Sequence, residues 1–427
     1  MRTTKLQALG AAAALCAGLA YAGDTMPAPE GGGSSMMPAT EGAGSSMMPA
    51  AEAAGSSTLP ARQNQPSPYR LTLLASLGGT NSRGSGVNNG QWVTGYSTLA
   101  GEQARHAVLW LYGTAIDLGT LGGANSSINW PVKNNVGLIA GISQTSTPDP
   151  LGERWSCAAF FGGPNATGNT CVGFAWKWGA LRALPTLGGN NGFAAGANNR
   201  EEIVGWAENA VHDPTCVAPQ VLQFRGVIWG PGKRHIRELA PLPGDSSSAA
   251  TAINDQGQAV GISGLCDQAV GRHTAKHAVL WERNGNVKDL GNLGGTSWNT
   301  PMAINQRGDV VGFAGEPGDD DGNVLHAFLW TRHDGMQALG TLPGHVSSEA
   351  HAINERGQIV GTSCDAAGAC RAVLWQNGAV FDLNSLVASG ATATLTTAQD
   401  INDLGEITGR AVIGTIRQAF LASPTSH

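Results

Sequence analysis

One acidic segment of the sequence has the spacing of a calcium loop. Asp319, Asp321 and Asn323 stand at alternate positions, with Gly322 between the last two and Glu316 close by. Carboxylate and amide oxygens at this spacing are the first ligands of loops that bind Ca²⁺. No acidic residue stands twelve positions after Asp319 to complete an EF-hand, so a solvated acidic loop is the alternative. The sequence indicates a candidate calcium site and no other cofactor.

Three histidines at recurring positions are a second candidate for chemistry. His106, His277 and His326 each open a short apolar run that ends in Trp. Histidine nitrogen is a common zinc ligand, so three such rings could form a metal site. In other copies of the same run, however, arginine or glutamine stands in place of the histidine. We therefore interpret these histidines as hydrogen-bonding residues of separate repeats.

Four of the tryptophans outside the recurring run are further candidates. They are Trp130, Trp155, Trp178 and Trp298. An exposed aromatic ring offers a flat apolar face that matches the face of a sugar ring. These four are therefore candidates for stacking on sugars, whereas the recurring tryptophans are predicted to pack inside the fold.

Common catalytic motifs are missing from the sequence. It contains no Gly-x-Ser-x-Gly elbow, no His-Glu-x-x-His pair, no phosphate loop and no repeated pair of acids. Catalytic groups can also be assembled from distant loops, so an enzyme is the less favoured reading and no catalytic residue is assigned.

The composition limits which elements can position these residues. The 427 residues include 61 glycines, 41% of them are hydrophobic, and only 13% are charged. Glycine costs about 1 kcal/mol at each helical position, which excludes a helical bundle. The hydrophobic content excludes general disorder. The formal net charge of -6 provides no basic surface for nucleic acid.

Residues 1–22 have the organisation of a secretory signal peptide. Arg2 and Lys5 precede a short apolar stretch, and Ala22 ends a small-x-small cleavage signal. The apolar stretch is too short to span a membrane. Its removal, with two positive charges, takes the formal net charge from -6 to -8. The sequence predicts an exported protein, periplasmic or extracellular, with no membrane span.

The N-terminal part of the sequence also contains a candidate lipid-attachment residue and a predicted linker. Cys16 could carry a lipid, but Leu15 stands where a small residue is expected, so this form is less favoured. Residues 23–68 are rich in Gly, Ser, Pro and Met and repeat a Gly-Ser-Ser-Met-Met-Pro-Ala sequence. Glycine and proline in every copy predict a flexible linker.

Residues 69–427 repeat three short segments in a constant order. The first is a Leu followed by Gly-Gly, Pro-Gly or a degraded form; the second is an Asn with Gly seven residues later; the third is the apolar run, which ends in Trp in six copies. The leucines are Leu77, Leu121, Leu187, Leu242, Leu293, Leu342 and Leu386. The asparagines are Asn88, Asn134, Asn198, Asn254, Asn305, Asn354 and Asn402. Seven copies of 44 to 66 residues indicate a repeat fold.

Each copy is predicted to form four short strands. In the fifth copy these are Ala303–Ile304, Asp309–Phe313, His326–Trp330 and Gln337–Leu342, with a tight turn at 305–308. Glycine recurs in every second strand, which suggests a close approach of neighbouring backbones. Seven four-stranded units predict an all-β fold, a β-propeller of seven blades.

The two ends of residues 69–427 are predicted to share one blade. The last copy supplies three strands, and 69–77 ends in the leucine segment that closes a fourth strand. Joining them would remove the open sheet edges of a broken ring.

Six cysteines lie between the second and third segments of their copies. An even number in an exported protein suggests disulfides. Two pairs would each close one loop, and one pair would join the loops of two neighbouring copies. The pairs are Cys157 with Cys171, Cys364 with Cys370, and Cys216 with Cys266, out of fifteen possible pairings.

The repeats resemble the HAF family of probable extracellular repeats. Its signature of Leu-Gly-x-Leu-Gly-Gly, Ala-Ile-Asn-x-x-Gly-x-Val-Val-Gly and His-Ala-Phe-Leu-Trp is carried best by residues 290–295, 303–312 and 326–330. Glu201 replaces the turn glycine in the third copy, and the first copy shifts it to Gly90. The resemblance implies an exported repeat protein and almost no biochemistry.

Two functions are compatible with these features. The first is a rigid binding scaffold, expected to be monomeric, whose variable loops between second and third strands meet an extracellular polysaccharide or surface protein. The alternative is a propeller-type carbohydrate-active enzyme, a glycosidase or lyase, whose carboxylates would converge near the axis. Because no acidic residue recurs at a fixed repeat position, the binding scaffold is favoured.

Overall fold

The structure is a computed structural model of the whole chain. It describes residues 66–425 except 154–156, 158–159, 162–167, 232–234, 268–269, 319–321, 323 and 388–391. The predicted signal peptide and nearly all of the predicted linker lie outside the described residues. The described part is an all-β propeller built from antiparallel four-stranded blades.

Within the described residues, 28 strands form five four-stranded sheets and one eight-stranded sheet. The eight-stranded sheet divides into two four-stranded units, and we call the seven resulting units blades 1 to 7. Blades 1 and 7 make up the eight-stranded sheet and are joined in it by a single parallel bridge, Asn81 to Arg417. Blade 1 contains β2 (Gly78–Val87), β3 (Val93–Leu99), β4 (Arg105–Leu111) and β5 (Thr114–Asp117), and blade 2 contains β6 (Gly122–Ser127), β7 (Ile139–Pro148), β8 (Asn169–Lys177) and β9 (Ala180–Ala183). Blade 3 contains β10 (Gly188–Ala197), β11 (Ile203–His212), β12 (Leu222–Trp229) and β13 (Ile236–Leu239), and blade 4 contains β14 (Ser247–Ile253), β15 (Ala259–Gly264), β16 (His277–Trp281) and β17 (Val287–Asp289). Blade 5 contains β18 (Thr300–Ile304), β19 (Val310–Gly315), β20 (Leu325–Thr331) and β21 (Gly335–Ala338), and blade 6 contains β22 (Ser347–Ile353), β23 (Ile359–Cys364), β24 (Cys370–Gln376) and β25 (Ala379–Asp382). Blade 7 contains β26 (Thr394–Ile401), β27 (Ile407–Ile413), β28 (Ile416–Pro424) and the N-terminal β1 (Tyr69–Leu73).

Two short helices lie wholly within the described residues. A 3-10 helix, Thr274–Lys276, precedes β16, and the one-turn helix α1, Leu383–Leu386, follows β25. Among the helices of the described residues, none is long and apolar enough to span a membrane.

The fourth strands end earlier than the sequence predicted. In blade 5, β21 stops at Ala338, and Leu342 lies in the connection to blade 6. There Gly340 has a φ of 79° and the Leu342 backbone N–H donates to Ser363 Oγ at 3.2 Å. The leucine segment therefore anchors the crossover between blades, because glycine permits the left-handed turn that ends the strand.

The recurring asparagines stabilise the turns between first and second strands. In blade 4, the backbone N–H groups of Gln256 and Gln258 donate to Asn254 Oδ1 at 3.1 and 3.0 Å. The Asn254 side-chain amide donates to the carbonyl of Asn305 in blade 5 at 3.1 Å. One side chain thus holds its own turn and binds the next blade.

The fourth position of this turn requires a positive φ, and the two copies without glycine there also adopt it. Gln91 has a φ of 60° and Glu201 a φ of 61°, close to the 79° of Gly257. Non-glycine residues cost about 1–2 kcal/mol in this region. The tertiary contacts of the ring therefore impose one turn on every blade.

The residues that follow the recurring asparagines form a closed ring of hydrogen bonds. In each blade the backbone N–H of this residue donates to the side-chain oxygen of its counterpart in the next blade, at 2.7 to 3.1 Å. The ring runs in order through Asn89, Asn135, Asn199, Asp255, Gln306, Glu355 and Asp403 and returns to Asn89. All seven blades are therefore linked at the end of the propeller that carries these turns, which we call the turn face.

The recurring glycines of the second strands lie against the first strands, as the sequence suggested. A Cβ placed on Gly205 would lie 1.9 Å from the carbonyl oxygen of Phe193, and one on Gly361 would lie 1.9 Å from that of Glu349. The other five members of the series show the same contact at 1.9 to 2.4 Å. Only glycine fits here, because the first strand bulges toward the second at this point.

The recurring tryptophans pack within the blades, as predicted. Trp110, Trp281 and Trp375 are at most 3% exposed. Their indole N–H groups donate to carbonyls in the preceding crossover, for example Trp281 Nε1 to Ala240 O at 2.6 Å. Each ring therefore fills its blade and fixes the crossover that enters the blade.

Three disulfides lie at the opposite end of the propeller, where second strands lead into third strands. We call this end the loop face. The bonds join Cys157 to Cys171, Cys216 to Cys266, and Cys364 to Cys370. These are the pairings expected from the sequence, and the second one connects blades 3 and 4. Disulfides are compatible with an exported protein.

Candidate functional site

The sequence-predicted metal ligands give no site that the structure describes. Asp319, Asp321 and Asn323 lie outside the described residues, so the calcium hypothesis stays a prediction. Each recurring histidine contacts a carboxylate of its own blade instead of converging with the others. The nitrogen–oxygen distances are 2.9 Å for His106–Asp117, 3.2 Å for His277–Asp289 and 3.3 Å for His326–Glu316.

One further group of ligand-type side chains lies within the described residues. Asp213 is close to Cys216 and Cys266. The two sulfurs are bonded to each other, so they are not thiolate ligands. This group therefore holds loops together and offers no metal centre.

The four candidate sugar-stacking tryptophans differ in exposure. Trp130 is 5% and Trp298 2% exposed, so the expectation for these two was wrong. Trp130 packs edge-on against Phe193 and Trp206 in the core of the loop face. Trp155 lies outside the described residues. Trp178 is 74% exposed and is the candidate that remains.

Trp178 occupies the tip of the hairpin between β8 and β9. Lys177 pairs with Ala180, so Trp178 and Gly179 are the two loop residues, with φ of 52° and 86°. Two-residue loops of this geometry prefer Asn-Gly, because both central residues need a positive φ. A bulky aromatic residue at this position is an outlier, and outliers of this kind concentrate at functional sites.

The same hairpin in two other blades shows what the position demands. In blade 6 it carries Asn377, with a φ of 52°, which is the usual residue. In blade 1 it carries Tyr112, with a φ of 49° and an exposure of 86%. Neighbouring blades 1 and 2 thus each project an aromatic ring into solvent from a strained position.

Trp178 forms the wall between two grooves on the turn face. The first, of about 810 Å³, runs between blades 2 and 3. The second, of about 420 Å³, runs between blades 1 and 2. Gly137 separates Trp178 from a second ring, because a Cβ on Gly137 would lie 3.2 Å from Trp92 and 3.9 Å from Trp178. Glycine here leaves room for two indoles to flank one surface.

The larger groove has an apolar floor and a polar rim. Leu138, Ile203 and Trp229 form part of the floor and also pack into the core between blades 2 and 3. Across the rim, Lys177 Nζ lies 2.7 Å from Glu201 Oε1, and this ion pair connects blades 2 and 3. Arg182 and His235 add further hydrogen-bonding groups. The smaller groove is lined by amides, including Asn89 and Asn135 of the hydrogen-bonded ring.

Sequence reasoning identified Trp178 but missed the residues around it. Trp92 follows the turn of blade 1, and no repeat position distinguishes it. The pair of Lys177 and Glu201 lies 24 residues apart on different blades. The replacement of the turn glycine by Glu201 and its shift to Gly90 were signals in the sequence that could have drawn attention to this surface.

Several solved structures are similar to this chain at low sequence identity. No protein-family model and no curated protein matches the chain. Among solved structures, the chain is similar to the β-propeller domain of the Trilobed protease from Pyrococcus furiosus, with a TM-score of 0.45, 8% identity and coverage of 84% of this chain and 96% of that one. It is similar to Pyrococcus horikoshii acylaminoacyl peptidase, with a TM-score of 0.44, 11% identity and coverage of 83% and 54%. TolB from Acinetobacter baumannii gives a TM-score of 0.41, 10% identity and coverage of 78% and 63%. The chain thus spans about half the length of that peptidase, and at these values the likeness concerns the fold alone.

Proposed function

We propose that this protein is an exported binding scaffold that holds a polysaccharide chain in the two grooves beside Trp178. The observation that carries the proposal is the exposed indole of Trp178, held at a strained hairpin tip between two grooves. Tyr112 is exposed at the same strained hairpin position, but it borders neither groove. The grooves on both sides of Trp178 give a ligand room to cover its ring.

A polysaccharide fits the chemistry of this surface better than a protein partner. Sugar rings have an apolar face that stacks on indole and a rim of hydroxyl groups that need hydrogen-bond partners. Trp92 and Trp178 supply the flat faces, and Lys177, Glu201 and Asn135 supply charged and amide partners along the grooves. A groove with a polar rim and two separated rings suits a chain of sugars, whereas the centre of a protein interface is a broader apolar patch.

The grooves lie on the turn face, not on the loops that the sequence had favoured as the binding surface. The hydrogen-bonded ring lies beside the smaller groove, since Asn89 and Asn135 belong to the ring and also line that groove. A preorganised surface loses little conformational freedom when a ligand binds, which favours affinity. The export and the repeat family suggested by the sequence are part of the same proposal.

Binding is favoured over catalysis by the carboxylates present. A glycosidase needs two carboxyl groups on either side of the scissile bond. Among the described residues that line the two grooves, Glu201 is the single carboxylate, and Lys177 already pairs with it. The grooves therefore offer recognition groups without a catalytic pair.

A glycan array with the chain from residue 23 onward tests the proposal. A hit should be followed by calorimetry with the wild-type protein and with Trp178→Ala, where we expect about a tenfold or greater loss of affinity, equivalent to ~1.4 kcal/mol. Tyr112→Ala is the matched control, because Tyr112 has the same hairpin position and exposure but lines neither groove.

The possible results lead to different conclusions. Absence of any glycan hit, or equal losses for both variants, would refute the role of the Trp178 surface. Release of shortened or unsaturated products from a bound glycan would show an enzyme instead.

A further inference from the structure

A second, buried cavity lies near the axis at the loop face, remote from Trp178. It has a volume of about 70 Å³ and is formed where blades 6, 7 and 1 meet. First strands supply most of its walls, and the disulfide of Cys364 and Cys370 lies at one side. The polar side chains that line it include Arg83, Glu349, His351, Thr362, Gln399 and Arg410.

Three of these side chains have polar atoms without a hydrogen-bond partner in the described part of the chain. Gln399 is 0% exposed, and neither its Oε1 nor its Nε2 is bonded. Arg410 is 6% exposed with an unbonded Nε, and Thr362 is 8% exposed with an unbonded Oγ1. A buried polar atom without a partner costs about 1–3 kcal/mol, so three residues facing one cavity call for an occupant.

The charge around the cavity identifies the occupant as an anion. Arg83 and Arg410 both line the cavity while nearly buried. The Arg410 guanidinium also donates to the phenol oxygen of Tyr96. The pKa of Arg83 is lowered to about 10, mainly by burial and in part by the positive charges of Arg410 and Arg105. Burial raises the pKa of Tyr96, but Arg410, Arg83 and Arg105 outweigh this and bring it to about 7. The lowered pKa of Tyr96 reports the positive charge of the three arginines, whereas that of Arg83 comes mainly from burial.

Hydrogen-bond acceptors beside the arginines further limit the chemistry of the ligand. Both nitrogens of His351 already lie near acceptors of the protein, Nδ1 2.9 Å from Ala398 O and Nε2 3.2 Å from Glu349 Oε2. The unbonded Oε1 of Gln399 can accept a hydrogen bond from a ligand hydroxyl. A ligand with a negative group and a neighbouring hydroxyl satisfies both kinds of partner.

We propose that this cavity binds the carboxylate of a hydroxy acid, with Arg410 and Gln399 donating to the carboxylate and Gln399 Oε1 accepting from the adjacent hydroxyl. A carboxylate offers two oxygens in one plane, which suits a guanidinium edge and an amide N–H side by side. The small volume admits the acid group and its nearest atoms. The carboxylate therefore comes either from a free hydroxy acid or from the end of a uronic-acid chain.

Calorimetry with four solutes tests the site. Sodium glucuronate and sodium lactate represent the two sources, and glucose and inorganic phosphate are the neutral and the tetrahedral controls. We expect saturable binding of glucuronate, lactate or both, and none of glucose. Tighter binding of glucuronate assigns a sugar acid, and tighter binding of lactate assigns a free hydroxy acid. Binding of phosphate as tight as either carboxylate, or binding of no anion because water alone fills the cavity, overturns the proposal.

Two variants connect any binding to these residues. Gln399→Glu places a negative charge in the cavity and should weaken binding by about tenfold or more. Thr362→Val removes an unbonded hydroxyl of the cavity wall that can donate a hydrogen bond to the carboxylate, so it should also weaken binding. It changes the shape little and covers the case in which Gln399→Glu does not fold. Arg332→Gln is the control, since Arg332 is 67% exposed and contacts Glu282 elsewhere. Unchanged affinity in folded Gln399→Glu or Thr362→Val places the binding outside this cavity.

An optical measurement gives an independent readout. A bound carboxylate next to Arg410 should raise the pH at which Tyr96 ionises, because its negative charge offsets the guanidinium groups. The tyrosinate absorbance should therefore titrate at higher pH with saturating ligand. Trp178→Ala should bind the same acids unchanged, so failure of this proposal and failure of the Trp178 groove are distinguishable.

Discussion

The backbone N–H of Asp403 donates to Asn89 Oδ1 at 3.0 Å, which joins the last blade to the first. The same contact, between equivalent residues, links all the remaining pairs of neighbouring blades on the turn face. At the same seam the Asn402 side chain donates to the carbonyl of Asn88 at 3.0 Å. The seam therefore uses the interactions of any other junction, although its two sides lie at opposite ends of the repeat array.

The N-terminal strand should be essential to this seam. β1 pairs with β28 over five residues, and Tyr69 and Leu74 are 2% and 1% exposed. Deletion of residues 23–65 should leave the free energy of unfolding nearly unchanged. Deletion that continues through Leu77 should cost several kcal/mol, because each large apolar side chain removed from the core contributes about 1.5–3 kcal/mol. Urea unfolding of both truncated proteins measures the difference, and equal midpoints would contradict a blade shared by the two ends.

The close approach at the second-strand glycines should make them intolerant of a side chain. In blade 3, Gly205→Ala places a Cβ 1.9 Å from a backbone carbonyl and should destabilise the fold by about 3 kcal/mol or more through overpacking. Gly226→Ala in the adjacent strand is the matched control, because its Cβ meets its nearest atoms at 3.4 Å. Thermal unfolding should show a large loss for the first variant and a small change for the second. Similar losses would show that contact with the first strand is not the cause.

Tyr96 should ionise near neutral pH in the folded protein. Its pKa is about 7, against an ordinary value of 10.0, whereas burial raises the pKa of Tyr69 to about 12. Tyrosinate absorbance should therefore show one group that titrates near pH 7, and Tyr96→Phe should remove it. A titration that begins only at about pH 10, as for an ordinary tyrosine, would contradict the crowding of Arg410, Arg83 and Arg105 around the phenol.

The same shift gives a sign for stability against pH. Between about pH 7 and pH 10 the unfolded chain keeps a proton on Tyr96 that the folded protein has lost. The contribution of Tyr96 to the free energy of unfolding therefore rises with pH across this window and is lost as pH falls through about 7. Comparison of urea midpoints for the wild-type protein and Tyr96→Phe at several pH values isolates this contribution.

Much of the propeller was readable from local and periodic features. The turn at Asn254 to Gly257 and the glycine at Gly205 follow from short-range geometry that repeats in each blade. Because a repeated segment must solve the same packing problem in each copy, its periodicity reveals the strand that it forms. The shared blade at the seam followed from counting strands at the two ends.

Exposure and clustering between blades were decided by the tertiary structure. Trp178 and Trp298 both lie outside the recurring run and both have a positive φ, yet the first is 74% and the second 2% exposed. Arg410 and Tyr96 are 314 residues apart and meet only because blades 7 and 1 are neighbours in the ring. The sequence by itself determined the repeated strands and turns, since these depend on local conformation and spacing. Only the tertiary structure decided which rings reach solvent and which charges share a cavity, because those depend on non-repeated residues of different blades that ring closure brings together.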